Sequence, residues 1–242
     1  MRIDITEYRI RKKVNREITI AVAADLHNKP HFDKVVNMLK SVSPDMIAVP
    51  GDLLELKERS NGVEFLRQAA KIAPLFFTPG NHERLTENDI PIIKETGAVY
   101  LDNDYSKFED VIVGGLSSGC TDGGHHNEKT PPPDLEWLEK FSKLNGAKIL
   151  LSHHPEYYSE YIKGKNIDVV ISGHAHGGQW RVFGQGIYAP GQGIFPKYTS
   201  GVHDNTLVVS RGLSNHTVVP RIFNNPELVI IKLVPEKIKQ GE

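Results

Sequence analysis

Ile18-Thr19-Ile20-Ala21-Val22-Ala23-Ala24-Asp25-Leu26-His27 is an apolar, β-prone run that ends in a carboxylate and an imidazole two positions apart. The same design recurs four times. Met46–Pro50 ends in Gly51-Asp52, and Leu75–Pro79 in Gly80-Asn81-His82-Glu83. Lys148–Ser152 ends in His153-His154, and Asp168–Ser172 in Gly173-His174-Ala175-His176. Short apolar runs of this kind read as buried strands. Polar residues just past the carboxyl ends of neighbouring strands converge on one sheet edge, where open α/β folds hold their ligands. Asp, Asn and His gathered there form an oxygen and nitrogen donor set suited to Mn, Fe, Zn or Mg. A hydrolytic centre with two metal ions is the reading that follows.

Helical spacing fills the gaps between the early signatures. Phe32, Val35, Val36 and Leu39 repeat at the helical period, and Pro44 ends them. Asn61 with Glu64 has the form of a capping box opening a helix through Ala70. Thr86 and Asp89 mark the start of another helix, which contains Ile92 and Ile93. This alternation, up to about Leu101, predicts βαβ units and a largely parallel sheet. Val111–Leu116 predicts a buried strand, and Asp134 caps a helix that sends Leu135, Leu138 and Phe141 inward. Beyond Gly177, glycines and Pro196 punctuate short β segments, with closing strands at Thr206–Ser210 and Leu228–Val234. Strands outnumber helices, and no repeat, low-complexity tract or linker interrupts the chain. We expect one domain over residues 1–242: an α/β fold, a four-layer αββα sandwich of two packed mixed sheets flanked by helices.

Composition narrows the function classes. The 29 basic and 30 acidic residues nearly cancel, so no bulk field points to nucleic acid or an anionic membrane. The single cysteine, Cys120, excludes an internal disulfide framework and a cysteine-based metal site. Met1–Val14 alternates isoleucines with charges, unlike a signal peptide, and no run approaches a membrane span. The expected compartment is therefore the cytoplasm, with peripheral membrane association left open. The basic cluster Arg9–Lys13 reads as the solvated face of an edge strand.

The ordered set of signatures resembles the calcineurin-like metallophosphoesterase superfamily, whose motifs run D-x-H, G-D-x-x-D/E, G-N-H-D/E, a lone His after a strand, then G-H-x-H. Gly173–Gln179, Tyr188-Ala189-Pro190, Lys197–Gly201, Ser210–Leu213 and Pro226-Glu227 look like one bacterial branch of it. That branch includes phosphodiesterases and hydrolases of lipid-linked sugar diphosphates. The resemblance implies one metal held by Asp25, His27, Asp52 and His176, and a second held by Asp52, Asn81, His153 and His174. It favours His153 over His154, which chemistry alone does not separate because adjacent strand residues face opposite ways. His82 is then the residue that stabilises phosphoryl oxygens or protonates the leaving group, with Glu55 orienting it. Glu55 stands where many relatives carry Asp, and Ala175 where the branch often has Thr. Two divalent ions, Mn, Fe or Zn before Mg or Ni, with two carboxylates and a hydroxide sum to about +1, which favours an anionic phosphate. A metal-bridging hydroxide would attack phosphorus in line, with a phosphodiester, phosphomonoester or pyrophosphate as substrate and a phosphodiester preferred.

Other readings compete. Gly115-Leu116-Ser117-Ser118-Gly119 fits the nucleophile elbow of a serine hydrolase, with Ser117 as nucleophile, but Cys120-Thr121-Asp122-Gly123-Gly124 breaks the helix that motif requires. A catalytically silent binding module on the same fold would be expected to lack ligands, and none is missing. His31, His203 and His216 read as surface residues. His125 and His126, in a glycine-rich loop, either reach substrate or form a solvated turn. Arg211 either clamps a phosphate or makes a structural ion pair. Phe183, Ile187, Tyr188, Ile194, Phe195 and Tyr198 either form an apolar wall for a lipid or nucleoside portion of the substrate or pack two sheets together. Oligomeric state leaves no mark in the sequence.

Overall fold

Alternation at the amino terminus puts Ile10 inside and Arg9 and Arg11 outside in an edge strand, β1 (Asp4–Lys12). The computed structural model describes residues 2–55, 58–120, 130–215 and 218–236. After β1 come β2 (Ile18–Val22), α1 (Phe32–Val42), β3 (Met46–Val49), α2 (Ser60–Ala69), β4 (Leu75–Phe77), α3 (Asp89–Glu95) and β5 (Val99–Tyr100). The second half follows with β6 (Asp104–Phe108), β7 (Val111–Leu116), α4 (Leu135–Ser142), β8 (Ala147–Ser152) and β9 (Val169–Ser172). Two small hairpins, β10 (Arg181–Val182) with β11 (Gln185–Gly186) and β12 (Tyr188–Ala189) with β13 (Gly193–Ile194), precede β14 (Gly201–His203), β15 (Leu207–Val209) and β16 (Glu227–Pro235).

Two six-stranded sheets result, in the orders β1-β16-β2-β3-β4-β5 and β14-β15-β9-β8-β7-β6. In the first, β2 to β5 run parallel, and β16 enters antiparallel to β2 and parallel to β1. In the second, β15, β9, β8 and β7 are parallel, with antiparallel strands at both edges.

Strand alternation builds three apolar layers. Ile20 and Val22 of β2 meet Ile149 and Leu151 of β8 between the sheets. Ala21 and Ala23 face the other way, toward Val35, Leu39, Phe65 and Ile93 of the three early helices. Behind the second sheet, Leu150 and Val170 pack with Leu138 and Phe141 of α4. Burying each such aliphatic side chain contributes about 1.5–3 kcal/mol. The architecture is thus the expected sandwich of two mixed sheets with helices outside. Among the described residues no helix is long and apolar enough to cross a membrane.

Some local expectations are corrected. No capping box forms at Asn61: α2 starts one residue earlier, Asn61 donates to the Asn28 carbonyl at 2.9 Å, and Glu64 pairs with Arg67 and Gln68. The capping acceptor comes from elsewhere in the chain, because the Gly62 N–H donates to Asn28 Oδ1 at 2.8 Å. Asp134 caps α4 as its position predicts, accepting from the Trp137 N–H at 2.9 Å. Leu135, however, is exposed, since only Leu138 and Phe141 fall on the stripe that meets the sheet. Tyr158–Ile162 forms a π-helical turn, an element no sequence signal marked.

Candidate metal centre

Parallel strands deliver their following loops to one edge, and here both sheets do so side by side. The loops after β2, β3 and β4 bring Asp25, His27, Asp52, Asn81 and His82 from the first sheet. Those after β8 and β9 bring His153, His174 and His176 from the second. Donor atoms of Asp25, His27 and His176 lie within 4.8 Å of one another, as do those of Asp52, His153 and His174.

Asp52 stands between the two groups. Its Oδ2 is 3.1 Å from His153 Nε2 and 3.9 Å from both His27 Nε2 and His82 Nε2. Its Oδ1 accepts the His82 backbone N–H at 3.0 Å. A Cβ on Gly80 would run into this carboxylate, and one on Gly173 would come within 2.7 Å of Asp25 Oδ2. The two glycines before Asn81 and His174 are therefore required by close approach.

The backbone at these residues is strained. Asp25, His27, Asp52, His174 and His176 all hold positive φ, between 46° and 64°. Each costs on the order of 1 kcal/mol relative to an ordinary conformation, and such strain gathers at functional sites.

The nitrogens show what the site demands. His153 Nδ1 lies 2.9 Å from the Pro50 carbonyl, which only accepts, so Nδ1 carries a proton. Its Nε2 faces Asn81 Oδ1 at 3.0 Å, His174 Nδ1 at 3.1 Å and the Asp52 carboxylate. Burial opposes a charge on His153, but Asp52, with Asp25 and Glu83, outweighs it and pushes its pKa up to about 10. Positive charge is wanted at that point. In the other group, His27 Nδ1 donates to Glu55 Oε1 at 2.8 Å, which turns Nε2 toward His176 Nε2 at 3.3 Å. Asp25 Oδ2 is buried without a hydrogen-bond partner, and burial together with Asp52 raises this carboxyl to about 6. An orphaned carboxylate oxygen and acceptors converging on imidazole nitrogens fit divalent cations held by oxygen and nitrogen donors.

His82 opens the site to solvent, its side chain 12% exposed while those of His27 and His153 are 0%. Its Nδ1 lies 3.3 Å from Glu55 Oε2, so one carboxylate touches both His82 and His27. His154 also approaches His174, in a second donor group with Glu156, but its Nε2 is 2.7 Å from Ser118 Oγ, and His153 is the histidine beside Asp52. Ser117 donates to Asp102, and the chain runs on through Gly119 and Cys120 without entering a helix, so no nucleophile elbow forms. Arg211 makes an ion pair with buried Glu227 at 2.8 Å, the structural alternative to a phosphate clamp.

Residues 18–178 match the calcineurin-like phosphoesterase family, a span holding all five signatures. The chain belongs to that family. A Bacillus subtilis protein described as uncharacterized YpbG is 26% identical over 224 residues, covering 89% of this chain and 81% of its own. An uncharacterized metallophosphoesterase of Campylobacter jejuni, Cj0846, is 27% identical over 239 residues, 93% of this chain and 61% of its own length. This calcineurin-like phosphoesterase thus spans about three-fifths of that longer relative. A crystal structure described as a dimetal phosphatase from Danio rerio has the same fold, at TM-score 0.50 and 11% identity, with 82% of this chain and 88% of that one covered.

Two residues shape the centre of this calcineurin-like phosphoesterase in ways their sequence positions do not show: Glu83, which closes the third signature, and Arg221, which lies in none. The Glu83 carboxylate accepts the backbone N–H groups of Asp52, Leu54 and Gly80 at 2.9, 2.8 and 2.7 Å. Arg221 donates to His176 Nδ1 at 2.9 Å and to the Arg211 carbonyl at 2.6 Å, and burial lowers its pKa to about 10. His31 and His203 are half-buried rather than on the surface, each ring nitrogen 3.1 Å from a carbonyl, of Leu213 and Ser200 respectively. His125, His126 and His216 lie outside the described residues.

Proposed function

We propose that this chain is a dinuclear metal-dependent phosphohydrolase acting on phosphate esters, with phosphodiesters preferred. The observation that carries the reading is Asp52 Oδ2, set between His27 and His153 where two donor clusters, each built from both sheets, meet. Asp25, His27, Asp52 and His176 would hold one divalent cation, and Asp52, Asn81, His153 and His174 the second, with Mn, Fe or Zn the best matches to this donor set and Mg or Ni also compatible. When bound, the two cations supply charge neutralisation for the phosphoryl oxygens and lower the pKa of water to about 7.

The chain's own residues do the rest. His82 Nε2 lies on the open side of Asp52, where an N–H reaches a phosphoryl or leaving oxygen. Burial opposes a charge on His82, but Asp52 and Glu55 raise its pKa to about 9, which keeps that proton in place at neutral pH. Glu55 fixes the ring at Nδ1 and holds His27 as well. His27 and His153 are fully buried, which excludes water from the ligand side of the cluster. The apolar segment around Phe183–Tyr198 is suited to a lipid or nucleoside portion of the substrate.

The test is elemental analysis of the purified protein, paired with hydrolysis of p-nitrophenyl phosphate and bis-p-nitrophenyl phosphate across added metals. We expect two divalent ions per chain and faster cleavage of the diester. A metal-replete protein inert toward both would select the catalytically silent binding module instead.

A further inference from the structure

Fourteen large apolar residues are exposed among the described residues, and ten of them fall between positions 180 and 223. They form a collar on the β10–β11 and β12–β13 hairpins and the loop before β16, and Trp180, Tyr188 and Val219 of this set share a cavity wall with His176. Phe183, at the tip of the β10–β11 hairpin, shares a hollow with Phe223. Trp180 is bridged to Ile222, Tyr188 pairs across its hairpin with Ile194, and the Phe195 N–H donates to the Ile187 carbonyl at 2.8 Å. Exposed apolar surface of this extent marks an interaction site.

The collar leads into a cavity of about 290 Å³ whose wall includes His176, Trp180, Ile187, Tyr188 and Val219. A group seated there is therefore continuous with the centre at which phosphate is bound. Two of the wall's side-chain donors are already committed. Trp180 Nε1–H donates to the Pro220 carbonyl at 2.9 Å, and Gln179 Nε2 to Asn215 Oδ1 at 3.1 Å. A nucleobase would leave its hydrogen-bonding edge unpaired against such a wall, whereas an alkyl chain has nothing to satisfy.

Backbone conformation supports an outside partner. Phe183, Phe195 and Phe223 all hold positive φ, at 49°, 52° and 51°, which is disfavoured for bulky residues. Their rings gain little burial within the chain in return, being 106%, 68% and 86% exposed. Charge points to the kind of partner. Residues 177–223 contain one acidic side chain, Asp204, which is held by Lys163 at 2.7 Å. Lys197, exposed beside Phe195, adds positive charge at the rim.

We infer that this collar inserts into an anionic lipid surface and that the cavity behind it takes the alkyl chain of an amphiphilic phosphate ester, whose phosphate then reaches the side of the centre marked by His176. Aromatic and aliphatic side chains enter the headgroup boundary, and basic residues add attraction to anionic lipid. The surface stands independently of the hydrolytic proposal, while the cleavage of the bound amphiphile rests on it. Hydrolysis would add water across the P–O bond, with oxygen to phosphorus and the proton to the departing oxygen.

The experiment is co-sedimentation of the full chain with vesicles of phosphatidylcholine, alone or with a third of the lipid replaced by phosphatidylglycerol. It is repeated with the double variant Phe183→Ser/Phe195→Ser, whose exposed positions leave the core untouched. We expect binding that is stronger on the anionic vesicles and weakened about tenfold or more in the double variant. The variant should keep the circular dichroism spectrum and the metal content of the wild type, which shows that it folds. Wild-type protein left in the supernatant, or a double variant that binds equally well, overturns the inference. So does a collar that proves to join two copies, seen as a wild-type dimer that becomes monomeric in the double variant without any lipid binding. For the cavity, hexyl p-nitrophenyl phosphate should show a lower KM than its methyl analogue, and equal values overturn that part. Vesicle binding by a metal-replete protein that cleaves no ester would uphold the surface and reject the hydrolytic proposal.

Discussion

Asp52 Oδ2 and His153 Nε2 lie 3.1 Å apart, one following β3 in the first sheet and the other following β8 in the second. A single ion pair thus crosses the seam of the sandwich at the point where both donor clusters meet. Asp52→Asn keeps the shape and removes the charge. We expect it to lose bound metal on elemental analysis and to reduce turnover by roughly a thousandfold or more. Retention of two ions per chain in that variant would remove Asp52 from the bridging role.

His82 should behave differently, because it approaches Asp52 only from the open side. His82→Ala is expected to keep its metals while kcat falls about a hundredfold, the scale of general acid catalysis. Loss of metal with an unchanged rate would reverse the assignment.

Glu83 anchors three backbone N–H groups of the Asp52 and Gly80 loops. Glu83→Ala leaves all three donors buried without an acceptor, so we expect a loss of about 3 kcal/mol or more in denaturant unfolding. Glu83→Gln keeps one acceptor oxygen and should recover about half of that. Equal stability of the alanine variant and the parent would show that water replaces the carboxylate.

These cases show what could be read from the chain. Each of the five signatures carries its chemistry in its own residue types and sits directly after an apolar strand, so local pattern and order are enough to locate Asp25, Asp52 or His174. Arg221 lies in no signature, and Glu83, although it closes the third one, shows nothing of its role there. Their importance lies in which backbone groups from distant segments arrive beside them, and one-dimensional spacing does not encode that. Asn61 and Glu64 illustrate the converse error, a well-spaced pair overruled because Asn28, from the loop after β2, already supplies the acceptor. The sandwich itself was legible from strands outnumbering helices; which face of a continuous apolar run turns inward, as Ile20 and Leu151 do while Ala21 and Leu150 face the helices, was not.

Ser117 offers a clean negative control. Its hydroxyl is tied to Asp102. Ser117→Ala should therefore leave phosphoester hydrolysis within about twofold and fail to alter labelling by a fluorophosphonate. It should cost roughly 1 kcal/mol for the lost hydrogen bond. A large loss of activity would reopen the serine mechanism.

Asp89 makes a pH-dependent contribution to stability. Burial opposes its ionisation, but Arg59 and Thr86 outweigh it and hold the carboxyl at about 2, below the ordinary value. A depressed pKa in the folded state stabilises above the unfolded value near 3.9 and loses that effect as pH falls through about 2. Asp89→Asn should cost about 1 kcal/mol at pH 7, reduced by solvent screening, and nothing near pH 2. The check is a pair of urea titrations at the two pH values, and a constant difference between variant and parent would contradict it.

β16 is threaded between β1 and β2, so the first sheet is completed by a strand that follows all its other strands in the sequence. During translation, β1 has no neighbour to pair with and Ile18–Val22 presents a bare apolar edge until residues 227–235 leave the ribosome. The emerging polypeptide is therefore exposed to mispairing until that strand appears. Chaperone demand and inclusion-body formation should fall if the order of synthesis is permuted to bring those residues out early.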